Sequence, residues 1–61
     1  MSRFYIKPLP GTGFDPDWGV FDNDDDAGRY VRCDTRTAAS TAARALNLRP
    51  HFVDAFDWTK D

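Results

Sequence analysis

Hydrophobic and polar positions alternate with period two over three short stretches of this chain, and the period then lengthens to that of a helix. Arg3-Phe4-Tyr5-Ile6-Lys7 alternates along its length. That predicts a strand with Phe4 and Ile6 toward a core and Arg3, Tyr5 and Lys7 facing away. Pro8 and Pro10 end it, because proline cannot donate to a ladder. Gly11-Thr12-Gly13 reads as a loop, and Asp15-Pro16 favours a turn. A second strand over residues 18–22 places Trp18 and Val20 on one face and Phe21 on the other. A third over residues 29–33 sets Val31 and Cys33 against Tyr30 and Arg32. Between them, residues 23–28 close a hairpin, with Gly28 free to take positive φ. Trp18, Val20, Val31 and Cys33 are expected to face a helix.

The helix is predicted over residues 36–46. Thr35 is the preferred N-cap, and Ala39, Ala42, Ala43 and Leu46 form one apolar stripe at i, i+3, i+4 and i+7 spacing. The stripe is small, so the helix can lie close to the sheet. Asn47 suits the position just past the helix, and Pro50 follows as a stop signal. In the tail from Pro50, Phe52, Ala55 and Phe56 match a helical face, while Phe52, Asp54, Phe56 and Trp58 match one face of a strand. Its aromatics predict that it packs on something. The fold class expected is α+β: a small antiparallel sheet of two or three strands on one α-helix, with a short C-terminal helix or extended tail.

The chain has 61 residues, enough for a single small domain spanning 1–61. A chain of this size buries only about 60% of its unfolded surface. Its core must be dense and aromatic, and a homodimer or an obligate partner would relieve the shortage. Cys33 is the sole cysteine, which precludes an internal disulfide and suits a reducing compartment. No apolar run reaches the roughly 20 residues that span a bilayer, and residues 1–8 lack a secretory signal's features. These features predict a cytoplasmic protein without membrane contact.

The net charge of −2 conceals a strong segregation. Residues 1–14 carry +2, residues 15–26 carry −6, residues 29–49 carry +4 and residues 50–61 carry −2. Every acid is aspartate, which favours turns and caps over helix interiors. The run Asp24-Asp25-Asp26 invites comparison with a calcium-binding loop. Counting from Asp22 puts Ala27 at the sixth position and Cys33 at the twelfth; counting from Asn23 puts Ala27 at the fifth. Neither register supplies the required oxygens. His51 is the sole histidine, and Cys33, its one conceivable nucleophilic partner, lies mid-strand facing the helix. No glycine-rich loop joins a strand to a helix. The expectation is therefore a non-enzyme with no catalytic residue, no metal site and no cofactor.

Trp18-x-Val20-x-Asp22, then Gly28-Arg29-x-Val31, then Thr35 with an alanine-rich helix ending Leu46-Asn47, resembles small strand-hairpin-helix proteins of actinobacteria and their phages. It resembles more loosely the arm-type DNA-binding domains at the front of phage integrases. The resemblance covers about half the chain. The first group carries no assigned activity. The second implies a three-stranded sheet entering the DNA major groove, and would give Arg3, Tyr5, Lys7, Tyr30 and Arg32 the DNA contacts. Those domains are usually basic, whereas this chain is acidic.

Two functions are thus expected. The favoured one is a non-catalytic protein-interaction module, of the kind a phage-derived modulator or inhibitor of a host protein would be. It would dock through an acidic hairpin tip, Asp24, Asp25 and Asp26, and an aromatic tail, Phe52, Phe56 and Trp58, because charge-rimmed aromatics suit protein interfaces. The alternative is a small DNA-binding accessory module using the basic and aromatic sheet face of Arg3, Tyr5, Lys7, Tyr30 and Arg32.

Overall fold

A computed structural model describes residues 3–10, 14, 16–25 and 27–59. The expected Gly11-Thr12-Gly13 loop, Asp15 and Asp26 lie outside the described residues. Three strands, β1 (Phe4–Pro8), β2 (Trp18–Asp22) and β3 (Tyr30–Cys33), form an antiparallel sheet in the order β1-β2-β3. Helix α1 (Arg36–Leu48) follows, and then a 3₁₀ segment, Pro50–Ala55. The α+β arrangement expected from the sequence is the one observed.

Register explains which side chains meet. Ile6 stands opposite Val20, and Val20 opposite Val31; Trp18 stands opposite Cys33. Opposed residues of an antiparallel pair share a face, so these five positions, with Phe4, form the helix side of the sheet. Phe4, Val20, Val31, Ala39, Ala43 and Leu46 make the buried cluster, edged by Ile6, Trp18, Cys33, Ala42, Val53, Phe56 and Trp58. Ala39 and Leu46 are fully buried on the predicted stripe. With only methyl groups at Ala39 and Ala43, the helix backbone can approach the sheet closely. Thr35 caps α1 as expected: its backbone is extended, and its Oγ1 accepts from the Ala38 N–H at 3.1 Å.

The helix runs two residues beyond the expected end, and Asn47 is not the residue that follows it. No residue other than glycine has positive φ among those described, so Asn47 cannot adopt the left-handed conformation of that position. Its side chain is committed elsewhere. Oδ1 accepts from the Phe4 N–H at 2.9 Å, and Nδ2 donates to the Phe4 carbonyl at 3.1 Å. The chain leaves the helix at Arg49, whose N–H bonds the Ala45 carbonyl. Arg49 has an extended φ of −137°, as suits a residue before proline.

The tail combines the two expected patterns in sequence. A 3₁₀ turn forms first, started by Pro50 and the Phe52 N–H bonding the Arg49 carbonyl. An extended stretch then returns to the sheet, where Thr59 and Tyr30 exchange backbone hydrogen bonds of 2.9 and 2.7 Å. Trp58 seals this loop by donating from Nε1 to the Val53 carbonyl at 2.6 Å. Its ring lies 6.4 Å from that of Phe4.

The far face of the sheet carries a second, thinner layer. Leu9 is buried there above Gly19; a Cβ on Gly19 would stand 2.8 Å from the Phe21 ring and 3.0 Å from Leu9. Absence of that side chain lets Leu9 and Phe21 close over the strand.

Replacing Asn47 with alanine leaves the part-buried Phe4 N–H without its partner, and should cost about 1–3 kcal/mol. Asn47→Asp keeps an acceptor but sets a carboxylate against the Phe4 carbonyl, and should cost at least as much. Urea denaturation of both variants checks this; two curves superimposed on the parent would refute the role given to the amide.

Candidate functional site

The hairpin turn after β2 is built by its aspartates. Asp22 Oδ1 accepts from the Asp24 N–H at 3.0 Å, and Asp25 Oδ1 accepts from the Ala27 N–H at 2.9 Å. These side-chain acceptors substitute for backbone ladder bonds and bend the chain. Gly28, with φ of 74°, brings it into β3. Glutamate would reach too far for such local bonds, which accounts for the all-aspartate composition here.

Arginines answer these carboxylates. Arg3 grips Asp22 with two parallel bonds, Nε to Oδ1 and Nη2 to Oδ2, both 2.9 Å. Its Nε also lies 3.3 Å from Asp24 Oδ2. Arg29 Nε donates to Asp25 Oδ2 at 2.9 Å. The Arg3 guanidinium lowers the Asp22 carboxyl below the ordinary carboxylate range, opposed by partial burial. The Ala27 N–H, then Arg29, lowers that of Asp25. Among the described aspartates of this turn, Asp24 is the most exposed, with 69% of its side chain open to solvent against 8% for Asp22 and 14% for Asp25.

The tail reaches the same end of the sheet. Thr59 pairs with Tyr30, two residues beyond Gly28, and Trp58 packs by Phe4, whose partner in β2 is Asp22. Asp24, Trp58 and Arg3, distant in sequence, therefore share one end of the molecule. Phe56 and Trp58 are half-buried against the core. Phe52 is 43% exposed, and its ring lies tilted against that of His51, 4.4 Å between centroids. Asp26 lies outside the described residues.

The five positions assigned to nucleic acid occupy different settings. Tyr5 stacks on Phe21 at 5.5 Å, and Lys7 lies over the same ring, 4.5 Å from its centroid. Tyr30 is buried beside Phe21. Arg32 bonds Asp17 at 2.7 Å, and Arg3 is held by Asp22 at the turn. Cys33 is half-buried, and burial pushes its thiol above the ordinary value. No group of three His, Cys, Asp or Glu among the described residues is gathered to hold a metal ion. No helix among them is long and apolar enough to cross a membrane.

Two functional features escaped sequence reading. Asp17 as partner of Arg32 and Asp22 as partner of Arg3 are contacts between separate elements, without a local spacing signal. Alternation of the strands would have found them only once register was known.

Comparison with protein-family models, curated proteins and solved structures finds no match.

Acid should loosen the turn in a defined direction. The Asp22 carboxyl is lowered in the folded state from an ordinary value of 3.8. Its stabilisation is therefore complete above that value and is lost as pH falls below it, through the folded-state pKa. Thermal melts from pH 6 to pH 2 should show a shallower acid loss in Asp22→Asn than in the parent. Parallel profiles would remove Asp22 from the acid response.

Proposed function

We propose that this chain is a non-catalytic protein-interaction module whose partner presents a basic surface. The observation that carries the reading is the meeting of turn and tail through the Tyr30–Thr59 pair. It sets an exposed carboxylate, Asp24, at the same end of the sheet as the half-buried Trp58. An aromatic anchor beside a solvent-facing charge is how interfaces combine desolvation with orientation. Asp22 and Asp25 support the surface by holding the turn, and among its described aspartates Asp24 is the one exposed enough to make the intermolecular contact. Phe56 packs against the same core cluster as Trp58, and Phe52 would extend the contact along the 3₁₀ segment.

The nucleic-acid reading draws support from the Tyr5–Phe21 stack and Lys7 on the open sheet face. It draws less from the arginines, because a phosphate would have to displace Asp22 from Arg3 and Asp17 from Arg32. Phosphate binding would also show a steep salt dependence.

The test is recovery of partners from a lysate on the tagged chain, with and without nuclease, by the parent and by Asp24→Lys. A protein retained after nuclease treatment and lost on Asp24→Lys, at unchanged melting temperature, is the expected result. Equal recovery by the two chains would exclude the turn as the docking surface. Partners that vanish with nuclease and weaken with Arg32→Ala would favour the sheet face and nucleic acid.

A further inference from the structure

We propose that the groove between β1 and α1 binds a short extended peptide segment bearing a carboxylate, which joins the free edge of β1. The groove has a volume of about 370 Å³, and its walls include Ile6, Ser40, Ala43, Arg44, Asn47 and Leu48. No turn or tail residue lines the groove, although Phe4 on its wall also packs by Trp58, and the proposal does not depend on the reading given to the turn and tail.

Hydrogen-bond alternation defines what the edge offers. The Arg3 carbonyl accepts from Asn23, and the Leu9 N–H donates to Asp17. Odd-numbered residues of β1 therefore turn their backbone groups toward β2, and Phe4, Ile6 and Pro8 turn theirs outward. Asn47 already occupies both groups of Phe4. Proline has no N–H to offer. What is left is the Ile6 N–H and carbonyl and the Pro8 carbonyl, enough to hold a few residues of added strand and no more. A second copy of β1 could not pair along its length, because Asn47 sits where its end would lie.

The helix underlies the space such a strand would fill. Ser40, Ala43, Arg44, Asn47 and Leu48 recur at i, i+3, i+4, i+7 and i+8, one continuous stripe along α1. Leu48 is 73% exposed at one end, an apolar contact without a covering group. Arg44 is exposed within the stripe, and no ion pair to it forms among the described residues. Arg3, Arg29 and Arg32 each hold an aspartate; Arg44 lines the groove with no acidic partner among the described residues. A strand whose groove-side residue is Asp or Glu would supply the complement, and neighbouring apolar side chains would cover Leu48 and Ile6.

The experiment uses the ¹⁵N-labelled full chain titrated with capped pentapeptides of sequence Val-Thr-Asp-Thr-Val, its Asn analogue and its Lys analogue. Alternation puts the central residue and both valines on the groove side. The expected result is a saturable shift of the Ile6 amide and Arg44 side-chain resonances with the Asp peptide, bound roughly three- to fivefold tighter than the Asn analogue, as suits a partly exposed ion pair. Arg44→Glu should transfer the preference to the Lys peptide, while Asp24→Lys should leave it unchanged. Failure of all three peptides to move Ile6 would overturn the proposal, as would equal affinity for Asp and Asn peptides. So would an Asp preference that survives Arg44→Glu. Loss of binding on Asp24→Lys would assign the peptide to the hairpin turn instead, and would overturn the groove while leaving the turn reading intact.

Discussion

One carboxamide joins the two ends of this fold. Asn47, at the last turn of the helix, bonds both backbone groups of Phe4, at the start of the first strand. The link joins residues 43 positions apart in sequence and fixes the helix against the edge of the sheet. It is charge-neutral and part-buried, so solvent competes for it less than for the surface ion pairs. Close approach of the helix depends on Ala39 and Ala43. The amide determines where along β1 that approach occurs, and so which residues Phe4, Val20 and Leu46 can meet.

Both outer strands are protected in the same manner, at the same end. Asn47 occupies β1 at Phe4, and Thr59 occupies β3 at Tyr30. Unpaired strand edges invite uncontrolled association. Here one side chain and one tail residue do the covering. No described residue pairs with the other ends of these strands, and Pro8 withholds a donor on β1. The fold thus separates a closed end, where turn and tail gather, from an end where a short strand could still be accepted.

The aspartate run has a dual character that its charge alone would hide. Asp22 and Asp25 are mainly architectural: each accepts a backbone N–H within the turn and an arginine from outside it. Their negative charge is compensated on the spot. Asp24, loosely approached by Arg3 and largely exposed, differs from its neighbours in what it can offer a partner. A similar division holds among the arginines: Arg3, Arg29 and Arg32 are engaged, and Arg44 forms no ion pair among the described residues.

Local patterning was enough to determine the elements, because alternation, cap chemistry and glycine or proline punctuation act within a few residues. The three strands, the helix with its Thr35 cap and the alanine stripe, and the helix-facing set of Trp18, Val20, Val31 and Cys33 were all legible in that way. The helix end was misread because Asn47 carries the same local signal whether it caps a helix or reaches across to a strand. The tail was ambiguous because its aromatics satisfy both periods, and only the availability of the Tyr30 edge decided where turn gave way to extended chain. Tertiary structure alone chose the ion-pair partners and the meeting of turn with tail. Those contacts follow from strand register and from the distance at which the helix settles on the sheet, and neither is written into any short stretch of residues.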